Sequence, residues 1–90
     1  MTVTVLAFPP YRAGLGPAPI DVELGAGSTL RDVLRALAQR SAEFEPWAGA
    51  RNDEWLWGQL LVHRKGEMVR LDDALADGDR LELLPPIAGG

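Results

Sequence analysis

The sequence contains no cysteine and only one histidine, His63. The lack of cysteine excludes disulfide bonds, thiolate metal ligands and a cysteine nucleophile. A single imidazole is too few for a histidine metal centre or for a catalytic triad, and no nucleophile and base pair can be assembled. We therefore expect no metal site and no catalytic residue, and the chain is not predicted to be an enzyme acting alone.

Long apolar runs are also absent. None approaches the roughly 20 residues that cross a bilayer, and residues 1–8 lack the basic flank and extended apolar stretch of a signal peptide. These features predict a cytoplasmic protein without a membrane partner.

Positive charge is scarce, since the formal net charge is −4. Lysine and arginine supply most of the affinity of proteins for nucleic acid, so no nucleic-acid partner is expected. Acidic residues concentrate between Gly66 and Gly90, where they form either a solvated face or a surface that steers the protein toward a basic partner cleft. They are Glu67, Asp72, Asp73, Asp77, Asp79 and Glu82.

What is present is the composition of one folded domain, with 47% hydrophobic and 24% charged residues. Five segments have the β-branched content or the apolar alternation of strands and are bounded by turn residues. They are residues 2–8, 20–24, 59–63, 68–69 and 80–84. Residues 64–67 and Asp77-Gly78-Asp79 are predicted turns, and residues 72–75 could form one helical turn.

One main helix is predicted to begin after Thr29, because Thr29 and Asp32 have the spacing of a capping box. The apolar residues that follow recur at helical spacing on one stripe: Leu30, Val33, Leu34, Leu37 and Ala38. Residues 43–58 lose this periodicity, and a short strand is predicted near residues 55–57. Their tryptophans, which either anchor the core or form a partner-binding patch, are Trp47, Trp55 and Trp57.

The predicted order is β-β-α-β-(β)-β, and a single helix is buried most compactly when a mixed sheet wraps around it. The expected fold class is therefore α+β, with four to five strands around one main helix over residues 1–84. Residues 85–90 are expected to form a flexible C-terminal tail. His63 is expected to be a surface strand residue.

The order of elements, the Asp77-Gly78-Asp79 turn and the terminal Pro-Pro-Ile-Ala-Gly-Gly resemble the β-grasp, ubiquitin-like sulfur carriers of bacteria. Within that family the pattern is most similar to the small subunit of molybdopterin synthase. The resemblance implies that an E1-like adenylating and sulfurtransferase enzyme uses ATP to activate Gly90 and convert it to a thiocarboxylate. It also implies a larger synthase or acceptor subunit as partner, no bound cofactor, and docking of the activating enzyme on an open sheet face near Phe8 and Leu84.

The chemistry of the tail agrees with this role. A carboxylate is a poor electrophile and becomes reactive as an acyl adenylate, which requires the tail to enter another protein's ATP site. Gly89 and Gly90 lack a Cβ and can pass a narrow channel, while prolines favour a stiff, extended start. Six residues reach at most about 20 Å. The tail residues expected to contact the partner are Pro85, Pro86, Ile87 and Ala88.

Several alternatives stay open. The carrier could instead serve cysteine, thiazole, thionucleoside or specialised-metabolite synthesis. The same tail could belong to a ubiquitin-like protein modifier, in which case self-linked chains would need Lys65, the one lysine, or the amino terminus. A third class is a binding module whose tail does no chemistry. The sequence does not define the sulfur acceptor, the activating enzyme or the oligomeric state.

Overall fold

The computed structural model describes residues 1–12 and 14–86. These residues form five strands, three α-helices and one 3₁₀ turn at Ala42–Phe44. The strands are β1 (Thr2–Ala7), β2 (Ile20–Glu23), β3 (Leu61–Arg64), β4 (Glu67–Met68) and β5 (Arg80–Leu84). The helices are α1 (Leu30–Arg40), α2 (Glu45–Ala48) and α3 (Asp53–Trp57).

The strands form one mixed sheet in the order β2-β1-β5-β3-β4. β1 and β5 are parallel neighbours, whereas the other three pairs are antiparallel. A parallel pair needs a long crossover connection, and α1 lies in the one between β1 and β5. The predicted β-grasp arrangement of a mixed sheet around one main helix is therefore confirmed.

The core lies between α1 and one face of the sheet. The larger inward residues of the neighbouring strands β1 and β5 are at most 1% exposed and share one cluster with the apolar stripe of α1. Burying each such side chain contributes roughly 1.5–3 kcal/mol. At the start of α1 the Thr29 N–H donates to the Asp32 carboxylate at 2.9 Å, as the capping-box spacing predicted. The central-strand core residues are Val3, Val5, Leu81 and Leu83.

The predicted short strand near residues 55–57 is wrong, because this segment is helix α3. The Asn52 side chain accepts the backbone N–H of Trp55 at 2.8 Å, which satisfies an N–H of the first helical turn. Leu56 is buried, whereas Trp55 before it is exposed and Trp57 after it is half-buried. This sequence of burial resembles the alternation of a strand, which explains the wrong prediction.

Two smaller predictions also change. The segment at residues 72–75 is not a helical turn, because Leu75 N–H donates to the Ser28 carbonyl at 2.9 Å and Ala74 bridges Thr29. The third strand begins at Leu61 rather than at residue 59, since the N–H groups of residues 59 and 60 donate to the Leu56 carbonyl at 2.8 Å. Residues 74 and 75 are held by the two residues before α1, and residues 59 and 60 by the end of α3, so hydrophobic periodicity alone does not indicate either arrangement.

Candidate functional site at the exit of the central strand

β5 is the middle strand of the sheet, and the chain leaves the sheet after Leu84. On one side the Phe8 N–H donates to the Leu83 carbonyl at 3.0 Å, and on the other Leu61 is the register partner of Leu84. Pro85 lacks an N–H and cannot extend the ladder. The following segment therefore starts from the centre of the sheet, with Pro85 exposed and Pro86 half-buried.

The face of the sheet opposite α1 carries an apolar patch around this exit. Side chains alternate along each strand, and the neighbours Ala7, Val62 and Leu83 are buried on the other face. Four apolar residues that come directly before or after these buried residues in the sequence are half-buried and lie on the open face. We call this group the exit patch: Leu6, Phe8, Leu61 and Leu84.

Beyond the exit patch the open face becomes polar. Glu82 lies between Leu6 of β1 and His63 of β3, and Met68 of β4 lies beside His63. His63 is a half-buried strand residue on this face. A partner would meet an apolar area at the exit with polar and charged groups beside it, which is the usual organisation of a protein interface.

Most acidic residues near β5 are bonded within the domain, so they do not form one free acidic face. Four of the six accept hydrogen bonds at 2.7–2.8 Å, and in the described part of the chain the other two, Glu67 and Glu82, accept none from a side chain or the backbone. The four pairs are Asp72 with Arg31, Asp73 with the Arg70 N–H, Asp77 with the Thr2 N–H and Asp79 with Arg64.

Asp79 closes the turn that leads into β5. Its carboxylate accepts the Ala76 N–H and the Arg64 guanidinium, both at 2.8 Å. Burial alone would raise the pKa of Asp79, but these hydrogen bonds and the charge of Arg64 outweigh it and hold the pKa below its ordinary value. Gly78 has φ 85°, so Asp77-Gly78-Asp79 is the turn that its sequence predicted.

The three tryptophans have different environments. Trp47 lies in α2 and packs edge-on against Tyr11 and Phe44, with ring centroids 5.4 and 5.0 Å apart, so it anchors α2 to the core. Trp57 lies under the Arg70 guanidinium at 5.9 Å. Trp55 is 44% exposed and lines an open groove. The anchoring interpretation therefore holds for Trp47, while Trp55 is the one open to a partner.

The described residues were predicted to hold neither a metal site nor a membrane-spanning helix. In the ranges 1–12 and 14–86, no three His, Asp or Glu side chains come together as a metal site. No helix of the described chain is long and apolar enough to cross a bilayer.

The structure places Phe8 and Leu84 on the open face at the exit, and their contact with an activating enzyme stays a prediction. It adds Leu6 and Leu61, which sequence reasoning missed because their position depends on strand register between distant segments. The alternation of Leu6 between two buried neighbours was the only local signal. The predicted tail residues Ile87, Ala88, Gly89 and Gly90 lie outside the described residues.

Comparison with known sequences identifies relatives of the same size. The ThiS family model matches residues 6–90. Small archaeal modifier protein 1 of Haloferax volcanii is 33% identical over 75 residues, which cover 83% of this chain and 85% of the relative. Small archaeal modifier protein 3 of the same organism is 33% identical over 98 residues and covers all of both chains. These two relatives are archaeal, whereas the sequence pattern resembled bacterial carriers.

Solved structures agree in fold. The crystal structure of SAMP1 from Haloferax volcanii has a TM-score of 0.77 at 29% identity and covers 100% of both chains. A chain of the Amycolatopsis orientalis BexX/CysO complex has a TM-score of 0.65 at 25% identity and covers 98% of this chain and 99% of its own. The Pyrococcus furiosus putative molybdopterin converting factor, subunit 1, has a TM-score of 0.78 at 22% identity over 97% and 99% of the two chains, which supports the fold.

Proposed function

Because the chain belongs to the ThiS family, we propose that it is a sulfur carrier whose Gly90 is adenylated and then converted to a thiocarboxylate. Small ubiquitin-like proteins of this type are non-catalytic carriers or modifiers, which confirms the prediction that the chain is not an enzyme acting alone. The chemistry would be supplied by a partner that binds ATP.

The observation that carries the proposal is the position of the exit. The chain leaves the central strand beside the exit patch, where an apolar surface adjoins the start of the tail. An activating enzyme that binds this patch would hold Leu84 at a fixed distance from its ATP site. Six residues from Pro85 span at most about 20 Å, which suits a pocket set back from the docking surface.

Within this proposal the residues have separate roles. Phe8 and Leu84, together with Leu6 and Leu61, would contact the activating enzyme through the exit patch. Pro85 and Pro86 restrict φ and stiffen the first part of the tail, which limits the conformational entropy lost when the tail enters the pocket. Ile87 and Ala88 would line the entrance, and Gly89 and Gly90 would pass the narrowest part.

We propose that the carrier delivers its sulfur within molybdopterin synthase, with this chain as the small subunit and a larger subunit as its partner in the cytoplasm. The support is the resemblance of the terminal Pro-Pro-Ile-Ala-Gly-Gly to that group. Similarity to a chain of the BexX/CysO complex supports docking on a protein partner, and it keeps sulfur delivery to another pathway as the alternative acceptor.

A second candidate function is protein modification, in which the activated Gly90 forms an amide with a lysine of another protein. The observation that favours it is the 33% identity to small archaeal modifier proteins 1 and 3, in the latter case over the full length of both chains. Both functions need the same adenylated terminus and differ in the group that attacks it.

The test is the intact mass of the protein after incubation with ATP, a sulfur donor and an adenylating enzyme of the ubiquitin-activating type. We expect a gain equal to the exchange of one oxygen for sulfur, located by trypsin in residues 81–90. Replacing Gly90 with valine is expected to lower the yield at least tenfold, because the added side chain would obstruct the pocket of the adenylating enzyme. We expect the unfolding curve to stay unchanged, because residue 90 follows the predicted β-grasp domain of residues 1–84.

The matched control is Gly25→Ala, a glycine substitution in open surface, since nothing lies within 4 Å of the Cβ it would add. This variant should be converted like the unmodified protein. Normal conversion of Gly90→Val would overturn the role of the tail. Adenylation without sulfur transfer, by several enzymes that convert a known carrier, would favour the modifier function.

A further inference from the structure

Lysine is almost absent from this chain. Lysine and arginine together number nine, and only Lys65 is a lysine. The guanidinium of arginine stays protonated in proteins, whereas a lysine amine can lose a proton and attack an activated carboxyl. Lys65 is therefore the one side chain of this protein on which the tail of another copy could form an isopeptide bond.

Lys65 occupies the tip of the hairpin between β3 and β4, where Arg64 pairs with Glu67. Lys65 and Gly66 have φ 52° and 79°, the combination of a two-residue type I′ turn. The Lys65 side chain is exposed and has no hydrogen bond or ion pair in the described structure. A Cβ at Gly66 would meet nothing within 4 Å, so the backbone beside the amine is open to an incoming chain.

The other primary amine is occupied. The amino group of Met1 donates to the Leu24 carbonyl at 2.6 Å, and the Met1 carbonyl accepts the Leu24 N–H at 2.8 Å. These bonds extend the ladder between β1 and β2, so freeing the amine would require fraying of the sheet end. Attack by Met1 is therefore disfavoured relative to attack by Lys65.

Lys65 also lies far from the point where its own chain leaves the sheet. β3 is antiparallel to β5 and starts with Leu61 opposite Leu84, so Lys65 is four residues, about 14 Å, toward the opposite end of the sheet. Six extended residues from Pro85 span at most about 20 Å, so the tail of the same copy would reach Lys65 only by folding back along the sheet in a nearly extended form. The tail of a second copy needs no such reversal, which favours a bond between two copies over cyclisation of one.

The surroundings of Lys65 supply a proton acceptor. Lys65 and Glu82 line the same groove, together with Asp77 and Asp79. Asp77 and Asp79 are hydrogen-bonded to the Thr2 N–H and to Arg64, whereas the Glu82 carboxylate accepts no bond from the described residues. Glu82 is in register with His63, two residues before Lys65, so its carboxylate shares the groove with the amine and can accept the proton that the amine loses on attack when the two groups approach to hydrogen-bond distance.

We propose that Lys65 is the acceptor site at which the activated terminus of a second copy is joined to this protein. The proposal rests on the adenylation of Gly90 proposed above. The Lys65 amine attacks the carbonyl carbon of the Gly90 acyl adenylate, the C–N bond forms, the bond from that carbon to the phosphate oxygen breaks, and AMP leaves. The amine gives up a proton to Glu82 or water, and the ATP used for activation is the only co-reactant.

The experiment uses the full chain with ATP, without a sulfur donor, and an adenylating enzyme shown to release pyrophosphate with it. Trypsin cleaves after the arginines at 64, 70 and 80, so the expected product is residues 65–70 carrying residues 81–90 on the lysine amine. We expect this branched peptide in a dimer band. Lys65→Arg keeps the positive charge. It should lower the yield of the branched peptide at least tenfold and leave pyrophosphate release unchanged.

A second variant tests whether the position of Lys65 matters or whether any exposed lysine amine would react. Arg51 is exposed and makes no hydrogen bond among the described residues, so Lys65→Arg with Arg51→Lys offers an amine elsewhere. Four outcomes would overturn the Lys65 proposal and leave the activation of Gly90 unaffected. They are equal dimer formation through residue 51, a branch on Met1, a cyclised monomer, and pyrophosphate release without any branched peptide. Absence of pyrophosphate release with every enzyme would overturn both.

Discussion

The two faces of the sheet are built from alternate residues of the same strands, yet they differ sharply in burial. On the face toward α1, Val5, Leu81 and Leu83 are at most 1% exposed. On the open face, Leu6 and Leu84 are equally apolar but only half-buried. One face therefore stabilises the domain, and the other keeps apolar area at the exit of the tail.

This difference suggests that stability and partner binding can be altered separately. Leu83 and Leu84 are neighbours in β5 and have the same side chain, but they lie on opposite faces. The same substitution at both positions removes the same atoms from the same strand, so a difference between the two effects reports burial or partner contact and not the residue type.

The largest effect is expected from Leu83→Ala. Leu83 is 0% exposed within the core cluster, so truncation leaves a cavity and should lower the free energy of unfolding by about 3 kcal/mol. Urea unfolding measures this loss, with Leu84→Ala as the matched control, which should lose less than about 1 kcal/mol. Equal losses would mean that the two faces contribute alike to stability.

Leu84→Ala is expected to have its main effect on binding. Loss of an anchor in the exit patch should weaken the complex with the adenylating enzyme roughly tenfold, or about 1.4 kcal/mol. Titration calorimetry gives the Kd of each variant. Met68→Ala is the control, because Met68 is 42% exposed on edge strand β4, away from the exit. If both substitutions weaken binding equally, the enzyme contacts the open face elsewhere.

The sequence predicted the elements whose local pattern points to one structure and failed where two local patterns compete or where distant strands must pair. The stripe of α1 and the strand at Arg80–Leu84 follow from periodicity and turn residues; α1 begins after Thr29 as predicted, and the strand has the predicted bounds. Segment 53–57 follows instead from the Asn52 cap and one buried leucine. For the site, Phe8 and Leu84 were identified from resemblance.

Leu6 and Leu61 were missed because their proximity to Leu84 is set by two strand pairings across more than 20 residues of chain. A single sequence contains the residue types of such a patch but not the register that assembles it.

Asp79→Asn should have the smallest effect and should be distinguished by its pH dependence. The variant loses the charge that bonds Arg64 at the sheet end opposite the exit, so we expect about 1 kcal/mol less stability at pH 7. Because the folded-state pKa of Asp79 lies below its ordinary value, this contribution is present above the unfolded pKa of about 3.9 and is lost as the pH falls through the folded pKa. The difference between the two proteins in urea unfolding should therefore be constant from about pH 5 to 8 and shrink below about pH 4. A difference that stays unchanged down to pH 2 would mean that the amide disturbs the turn itself and that the carboxylate charge contributes nothing there.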